Sequence, residues 1–382
     1  YGYFKRQKRI GQFMEFRESS MEDMVKMHKN YFGKKIFLTG HTGFKGAWFL
    51  ILLKKIGAIV KGYSLEQENK LSLFDEINGN SLCESFIGNV NNFDILKKEL
   101  LDFQPDFIFH FAAQALVNES YRDPINTFNT NIMGSVNLLS SLKLLKKKCT
   151  VVIVTTDKVY KNKESLKPYS ESDELGGYDP YSSSKACVEL ISDSYIKSFF
   201  NVNDYSIHKK SIGIARAGNV IGGGDWSNDR LMKDIIISII KNQPVNLRYP
   251  NSIRPWQHVL DVLNAYLVLG TYLDKSPNKN LSCAYNFGPS IKNCIPVKVF
   301  TEKVINRWGS KISISELTEK KEHESEILLL QTNKAKKILN WKSRVNVEIA
   351  INYSVDWYKG FYLDNDFNAF NECLKQINNF YK

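Results

Sequence analysis

From Lys34 onward the chain alternates between two hydrophobic patterns. Short runs, apolar at nearly every position, have the length and the β-branched or aromatic content of strands: KKIFLTG, AIVKGYSL, SFIGNV, PDFIFHFAA, TVVIVTTD and IGIARAGNV. Between them lie longer stretches whose apolar residues recur every three or four positions. These are 45–56, FDILKKELLDF, FNTNIMGSVNLLSSLKLL and SSSKACVELISDSYIKSFF. Strands apolar on both faces, each followed by a helix, predict an α/β fold with a parallel sheet covered on both sides. After residue 216 the rhythm breaks. Gly222, Gly223, Gly224 and Asp225 form a turn, LMKDIIISIIKN predicts a helix, and short strands, Pro-marked turns and three more helices follow, ending near Tyr358. The expected division is a sheet domain over 33–215 and a smaller mixed α/β domain over 216–382, possible segment exchange included. Residues 1–32 form a basic extension outside both. No solenoid repeat is present.

Composition narrows the function. The 382 residues carry a net charge of +12, which would permit nucleic-acid binding. The lysines are scattered along the whole chain, however, and no nucleic-acid motif accompanies them, so no nucleic-acid partner is expected. A basic protein also attracts small anions, nucleoside diphosphates among them. The six cysteines (Cys83, Cys149, Cys187, Cys283, Cys294 and Cys373) form no CxxC pair, as expected of reduced thiols in a cytoplasmic protein. The longest apolar run, AWFLILL, is too short to span a bilayer, and residues 1–32 lack the apolar core of a signal peptide. The six histidines are dispersed without ligand spacing, so no metal is expected.

The first strand ends in TGHTGFKGAWF, with Gly40, Gly43 and Gly46 leading into a helix. In this setting the first glycine permits a tight turn and the second lets backbone approach a pyrophosphate. The third allows close helix–strand packing, and the helix N-terminus offers unpaired N–H groups. A plain tight turn is the other reading. The strand–turn–helix context favours a Rossmann-type doubly wound sheet that binds a dinucleotide. Thr42, Phe44, Ala112 and Ala113 lie where such a cofactor would pass. Glu66, after the second strand, is the candidate for the ribose hydroxyls, and no arginine stands there for an extra phosphate, so NAD is expected over NADP. Asn89, after the third strand, is a candidate adenine contact or a polar turn residue.

Tyr181 and Lys185 stand one helical turn apart in PYSSSKACVEL. The YxxxK spacing alone is uninformative in so lysine-rich a chain. Its position, opening the helix after the TTDK strand, sets it apart, because strand ends at this edge face the ligand crevice. Tyrosine titrates near ~10, so a base at neutrality needs its phenolate favoured by about 4 kcal/mol. A neighbouring ammonium and a positive nicotinamide ring both act in that direction.

These features resemble the extended short-chain dehydrogenase/reductase family. Within it TGHTGFKGAW, HFAAQALV, TTDKVY, LGGYDPYSSSKACVEL, RAGNVIGGGDWSNDRLMKD, SIRPWQHVLDVL and YNFGP look like the sugar-nucleotide 4,6-dehydratases, and most like the CDP-glucose 4,6-dehydratases. GGGDW and RPWQHV are the specific signatures. The likeness runs from about residue 34 to 290, extends more faintly to the end and excludes the N-terminal extension.

The resemblance implies conversion of CDP-glucose to CDP-4-keto-6-deoxyglucose with NAD regenerated each cycle. It implies that Tyr181 takes a proton at sugar carbon 4, assisted by Thr156 and Lys185, and that Asp157 protonates the hydroxyl leaving carbon 6. Lys158 stands where the TDP-glucose enzymes have Glu. It is expected to act in elimination, as a base if desolvation lowers its pKa or by stabilising the enolate. A strand-end ion pair is the blander reading of Asp157 and Lys158. Asn219, Arg230 and Arg254 are implied for the nucleotide diphosphate, with a structural arginine the alternative for Arg230 and Arg254. Gln114 is implied for the sugar, Asn131 for backbone or water near it, and Glu324 for the nucleotide. His41 and His258 are as readily structural as reactive. A homodimer or homotetramer through helices near 126–146 and 181–200 follows by analogy.

Two rivals remain. A sugar-nucleotide epimerase or reductase of the same fold would use Tyr181 and Lys185 but needs no acid at the strand end. A non-catalytic NAD-sensing protein would be expected to lack the Tyr/Lys pair.

Overall fold

The computed structural model describes residues 29–67, 71–277, 284–317 and 325–382. Seven parallel strands form the main sheet. They are β1 (Lys35–Thr39), β2 (Ile59–Ser64), β3 (Glu84–Ile87), β4 (Phe107–His110), β5 (Cys149–Val154), β6 (Lys210–Ala217) and, from far along the chain, β11 (Ala284–Phe287). Between β6 and β11 come four short strands, β7 (Val220–Ile221), β8 (Val245–Leu247), β9 (Ile253–Pro255) and β10 (Gln257–His258). After β11 come β12 (Cys294–Pro296) and β13 (Ile314–Glu316).

The strand order is β11-β6-β5-β4-β1-β2-β3. The order reverses between β1 and β4, which pair from Ile36 with Phe107 to Thr39 with His110. Such a reversal opens a crevice at the carboxyl ends of the strands. The sheet is the doubly wound α/β arrangement expected. Its central strands β4 and β5 are buried along their full length, as continuous apolar runs require.

Helices close both faces. In chain order the longer ones are α1 (Phe44–Lys55), α2 (Phe93–Phe103), α3 (Gly134–Leu144), α4 (Pro180–Phe199), α5 (Leu231–Ile240), α6 (Val259–Lys275), α7 (Val297–Trp308), α8 (Val347–Leu363) and α9 (Ala369–Phe380). One core joins α1, α6, α8 and α9, with Trp48, Leu263, Trp357 and Ile377 at most 1% exposed. A second lies between α2, α3, α4 and the other sheet face, around Leu100, Leu139, Val151 and Val188. Tyr31, at the end of the expected extension, is buried in the first core. It donates to Leu267 O at 2.7 Å and lies 4.7 Å from the Phe107 ring.

Two differences from the sequence reading concern helices. Among the described residues, five helices rather than three follow α5: α6 to α9 and Asn333–Leu339, between α7 and α8. That one buries only Ala335 and Leu339, so its pattern is faint, whereas α9 buries Ala369, Cys373, Ile377 and Phe380 at clear helical spacing beyond the expected end near Tyr358. The helix expected over 128–145 instead contains a π-helical turn, Asn129–Met133, before α3. The extra residue per turn carries Asn131 into the interior.

Candidate active site

The glycine turn connects β1 to α1 at the crevice. Gly40 has φ of +75°, a conformation in which a side chain is strained. A Cβ on Gly46 would lie 2.2 Å from Gly40 O and 2.7 Å from His41 Cα, both backbone, so helix and turn approach as closely as atoms allow. Gly43 caps α1 without any side-chain hydrogen bond, which leaves the first-turn amides open to an anion. Thr42 Oγ1 donates to Leu65 O at 3.0 Å and lies 2.9 Å from Ser64 Oγ, tying the turn to the end of β2. Ala112 N donates to Thr39 Oγ1 at 3.1 Å, drawing the Ala112-Ala113 loop beside Gly40. A dinucleotide pyrophosphate fits this cradle. Glu66 is exposed just beyond β2. Asn89, also exposed, accepts from Asn91 N at 2.9 Å, so its side chain closes its own turn.

Facing the turn is a cavity of about 360 Å³. Phe44, Thr156, Asp157, Lys158, Tyr181, Asn219, Arg230 and Arg254 all line it, so residues spread over two hundred positions share one space. Thr156, Asp157 and Lys158 arrive at the carboxyl end of β5, where a 3₁₀ turn (Asp157–Val159) stops the strand. Tyr181 arrives on the first turn of α4. Asp179 caps that helix, accepting from Ser182 N at 2.9 Å, and Pro180 sets its start.

Burial sets the protonation states. Asp157 is 2% exposed, and desolvation pushes its pKa up against the opposing influence of Lys158, Thr156 and Arg254. Thr156 Oγ1 donates to Asp157 Oδ1 at 3.0 Å, while Oδ2 has no protein partner. That oxygen points toward Gly218, where a Cβ would come within 2.7 Å of it. Tyr181 is pushed up to about 12 by desolvation, with Thr156 and Arg230 opposing the rise. Lys185 is 6% exposed, donates to Val154 O at 3.0 Å, and is held down to about 7 by desolvation and then by Lys45.

Gln114 and Asn131 stand beside the cavity, and their amides engage the protein. Asn131 Oδ1 accepts from Gln114 N at 2.9 Å, and Nδ2 donates to Gln114 O at 3.0 Å and to Ser184 Oγ at 2.8 Å. Gln114 Nε2 donates to Leu116 O and Thr127 Oγ1, and Oε1 accepts from Leu116 N at 2.6 Å. The pair clamps the loop after β4 onto α4. His41 and His258 are fully buried and held neutral by desolvation, at about 4 and about 3. Glu324 lies outside the described residues.

The sequence reading passed over three lining residues. Lys45 sits in the first turn of α1, where the helix dipole disfavours a cation, and that misfit was a readable signal. Desolvation and then Arg230 lower it to about 8, while Asp157 and Asp225 act in the opposite sense. Asp225, inside GGGDW, pairs with Arg230 at 3.5 Å. Arg248 donates to Asp229 Oδ1 at 2.6 Å, and nothing in its local sequence marks it. Five cationic side chains and four carboxylates line the cavity. The lining therefore carries one more cation than carboxylates, and the burial of Asp157 tilts the balance further toward positive.

The sequence profile described as GDP-mannose 4,6 dehydratase matches residues 37–353. The chain is 43% identical to a CDP-glucose 4,6-dehydratase of Salmonella typhimurium, over 87% of this chain and 92% of that protein. Among solved structures, a dTDP-glucose 4,6-dehydratase from Bacillus anthracis in complex with NAD is similar with a TM-score of 0.71. It is 22% identical and covers 86% of this chain and 98% of its own. A UDP-glucose 4-epimerase from Thermotoga maritima, crystallised with UDP-glucose, reaches a TM-score of 0.73 at 19% identity, covering 86% and 99%. On this likeness, and with a dinucleotide cradle facing a Thr-Asp-Lys strand end and a Tyr/Lys helix, the chain belongs to the nucleotide-sugar 4,6-dehydratases of the extended short-chain dehydrogenase/reductase family, which are NAD-dependent hydro-lyases.

Proposed function

We propose that this enzyme converts CDP-glucose to CDP-4-keto-6-deoxyglucose and water. One observation carries the reading: Tyr181 and Asp157, whose burial favours its protonated form, share a single cavity with Phe44 and Lys45, the residues that follow the glycine turn at the start of α1. The positive surplus there suits a nucleoside diphosphate. Asn219, Arg230 and Arg254 are assigned to it, and Arg248 and Lys45 add to the same field.

NAD, held by Gly40, Thr42, Gly43, Phe44, Gly46, Glu66, Ala112 and Ala113, supplies oxidation at carbon 4 and reduction at carbon 6. Tyr181 removes the carbon-4 hydroxyl proton. Its resting value of about 12 is too high for that; Arg230 already opposes the rise, and the positive nicotinamide of bound NAD would lower it further. Lys185 holds the ribose beside it. Thr156 turns its hydroxyl from Asp157 toward the forming ketone. That ketone acidifies the carbon-5 proton, and Asp157 donates its own proton to the hydroxyl leaving carbon 6. Lys158 acts on the same elimination, either as the base that takes the carbon-5 proton or as the charge that steadies the enolate while another group takes that proton. Gln114 and Asn131 keep the loop after β4 aligned with Tyr181.

The further assignments are coarser. Residues 33–215 are assigned to the dinucleotide and 216–382 to the nucleotide sugar. The enzyme is assigned to the cytoplasm, to deoxysugar biosynthesis and to a homodimer or homotetramer. Exposed apolar residues on the two helical segments concerned, Met133, Leu144, Leu190 and Phe199, support the assembly.

Mass spectrometry after incubation with CDP-glucose tests the reaction. Loss of one water is expected; an isomer of unchanged mass would mean epimerisation, and unaltered substrate a binding protein. Asp157→Asn should still reduce the bound cofactor while water loss slows ~10²-fold or more. Lys158→Ala, followed by deuterium exchange at carbon 5, separates the two roles of that lysine. Exchange at the parental rate would remove it as the base.

A further inference from the structure

A buried polar cluster that reaches the cavity lining only through Thr155 joins four elements of the site and takes no part in the steps above. Glu189 lies one helical turn beyond Lys185 on α4, and its carboxylate accepts from Thr155 Oγ1 at 2.7 Å. Thr155 immediately precedes Thr156 at the end of β5. Arg216, on β6, donates through Nε to Glu189 Oε1 at 2.9 Å and Oε2 at 3.0 Å, and through Nη2 to Oε2. Its remaining arm, Nη1, donates to Tyr160 Oη at 2.6 Å. Tyr160 follows the 3₁₀ turn that carries Asp157 and Lys158, and its hydroxyl donates to Asn286 Oδ1 on β11 at 2.6 Å. Arg216 and Glu189 are each 3% exposed.

A buried ion pair is a weak source of net stability, because desolvation offsets most of its attraction. What it does supply is geometry. The guanidinium is a rigid plane whose donors leave in fixed directions, so a carboxylate on one side and a hydroxyl on the other are held at a set separation. Here the carboxylate belongs to the helix bearing Tyr181 and Lys185. The hydroxyl belongs to the turn bearing Asp157 and Lys158. The Glu189 charge also favours the Lys185 ammonium against its desolvation.

We infer that Arg216 is a positioning residue that keeps the oxidation pair, Tyr181 and Lys185, in register with the elimination pair, Asp157 and Lys158. The inference rests on the proposed reaction and adds a requirement to it: the sugar must present carbon 4 to one pair and carbons 5 and 6 to the other without moving. A cross-brace between the two pairs meets that requirement.

The test uses the NAD-loaded full chain with CDP-glucose in single turnover. Reduced cofactor is followed by absorbance and dehydrated product by mass spectrometry. Replacing both charges (Arg216→Met with Glu189→Met) leaves no lone buried ion. Its ratio of dehydration to oxidation is expected to fall ~10-fold or more with KM little changed, since small misplacements of reacting groups are that costly. Tyr160→Phe, which removes one hydroxyl, should lower the same ratio by about threefold, and it decides the matter should the double variant fail to fold. A ratio equal to the parent's in the folded variants, whether both rates fall together or neither falls, overturns the inference while leaving the reaction standing. A parent enzyme that yields neither reduced cofactor nor product overturns the reaction, and the register with it.

Discussion

The two walls of the cavity are built by opposite means. The cofactor wall, the cradle beside the cavity, is backbone: Gly40 and Gly46 approach neighbouring backbone more closely than a Cβ would allow, and Gly43 leaves the helix start uncapped. The substrate wall is side chain: Arg230, Arg248, Arg254 and Asp225 line the space, Arg230 paired with Asp225 and Arg248 with Asp229. The first wall should therefore fail when atoms are added, the second when atoms are taken away. The two failures should also differ in degree, since added atoms in the turn strain backbone, whereas loss of the half-exposed Arg230 side chain removes a single ion pair of the protein.

The largest effect expected is at Gly46. A Gly46→Ala methyl meets backbone on two sides, at 2.2 and 2.7 Å, and cannot be relieved by a rotamer change. NAD affinity should fall ~100-fold or more and stability by about 2 kcal/mol, as for overpacked cores. Calorimetric titration and thermal melting measure the two. Unchanged affinity would remove the turn from the cofactor site. Next comes Arg230→Met on the opposite wall. The expectation is a KM for CDP-glucose raised ~10-fold with a parental melting temperature, the loss of one charged hydrogen bond. A lowered melting temperature with unchanged KM would make Arg230 structural and break the contrast.

The smallest effect is a pH dependence without ligand. The folded-state pKa of Lys185, about 7, and that of Lys45, about 8, lie below the ordinary lysine value. Above those values the unfolded chain binds more protons than the folded one, so stability rises with pH. Melting temperature of the ligand-free enzyme should thus climb as pH passes through about 7 and about 8. Lys185→Met should flatten the lower part of the climb, and a parental slope in that variant would contradict the assignment. Bound anions should flatten it too, by favouring both ammonium forms.

The same division explains what could be read from the sequence. Backbone sites depend on local spacing, so the glycine turn, its strand and its helix were legible from a dozen residues. Apolar runs gave β1 to β6 for the same reason. β11 was not placed in the sheet, because four residues with Asn286 among them carry little periodicity and their partner strand lies some seventy positions earlier. The substrate wall is assembled by the fold from short, irregular segments. Asn219, Arg230 and Arg254 were reached through resemblance, while Lys45 and Arg248 went unremarked. Gln114 and Asn131 were read as polar groups near the sugar. Asn131, expected to orient backbone or water, does bond the Gln114 backbone, from a π-turn that hydrophobic spacing does not encode, while the Gln114 amide bonds Leu116 and Thr127.

The late arrival of β11 bears on how the molecule is made. During synthesis β6 leaves the ribosome well before residues 284–287 exist, and until then it presents an unpaired rim of amides and carbonyls, the kind of surface on which nascent chains stick to one another. Arg216 and Tyr160 must wait equally long for Asn286. A translational pause inside that interval should lengthen the exposure, whereas one after residue 290 should be harmless to yield.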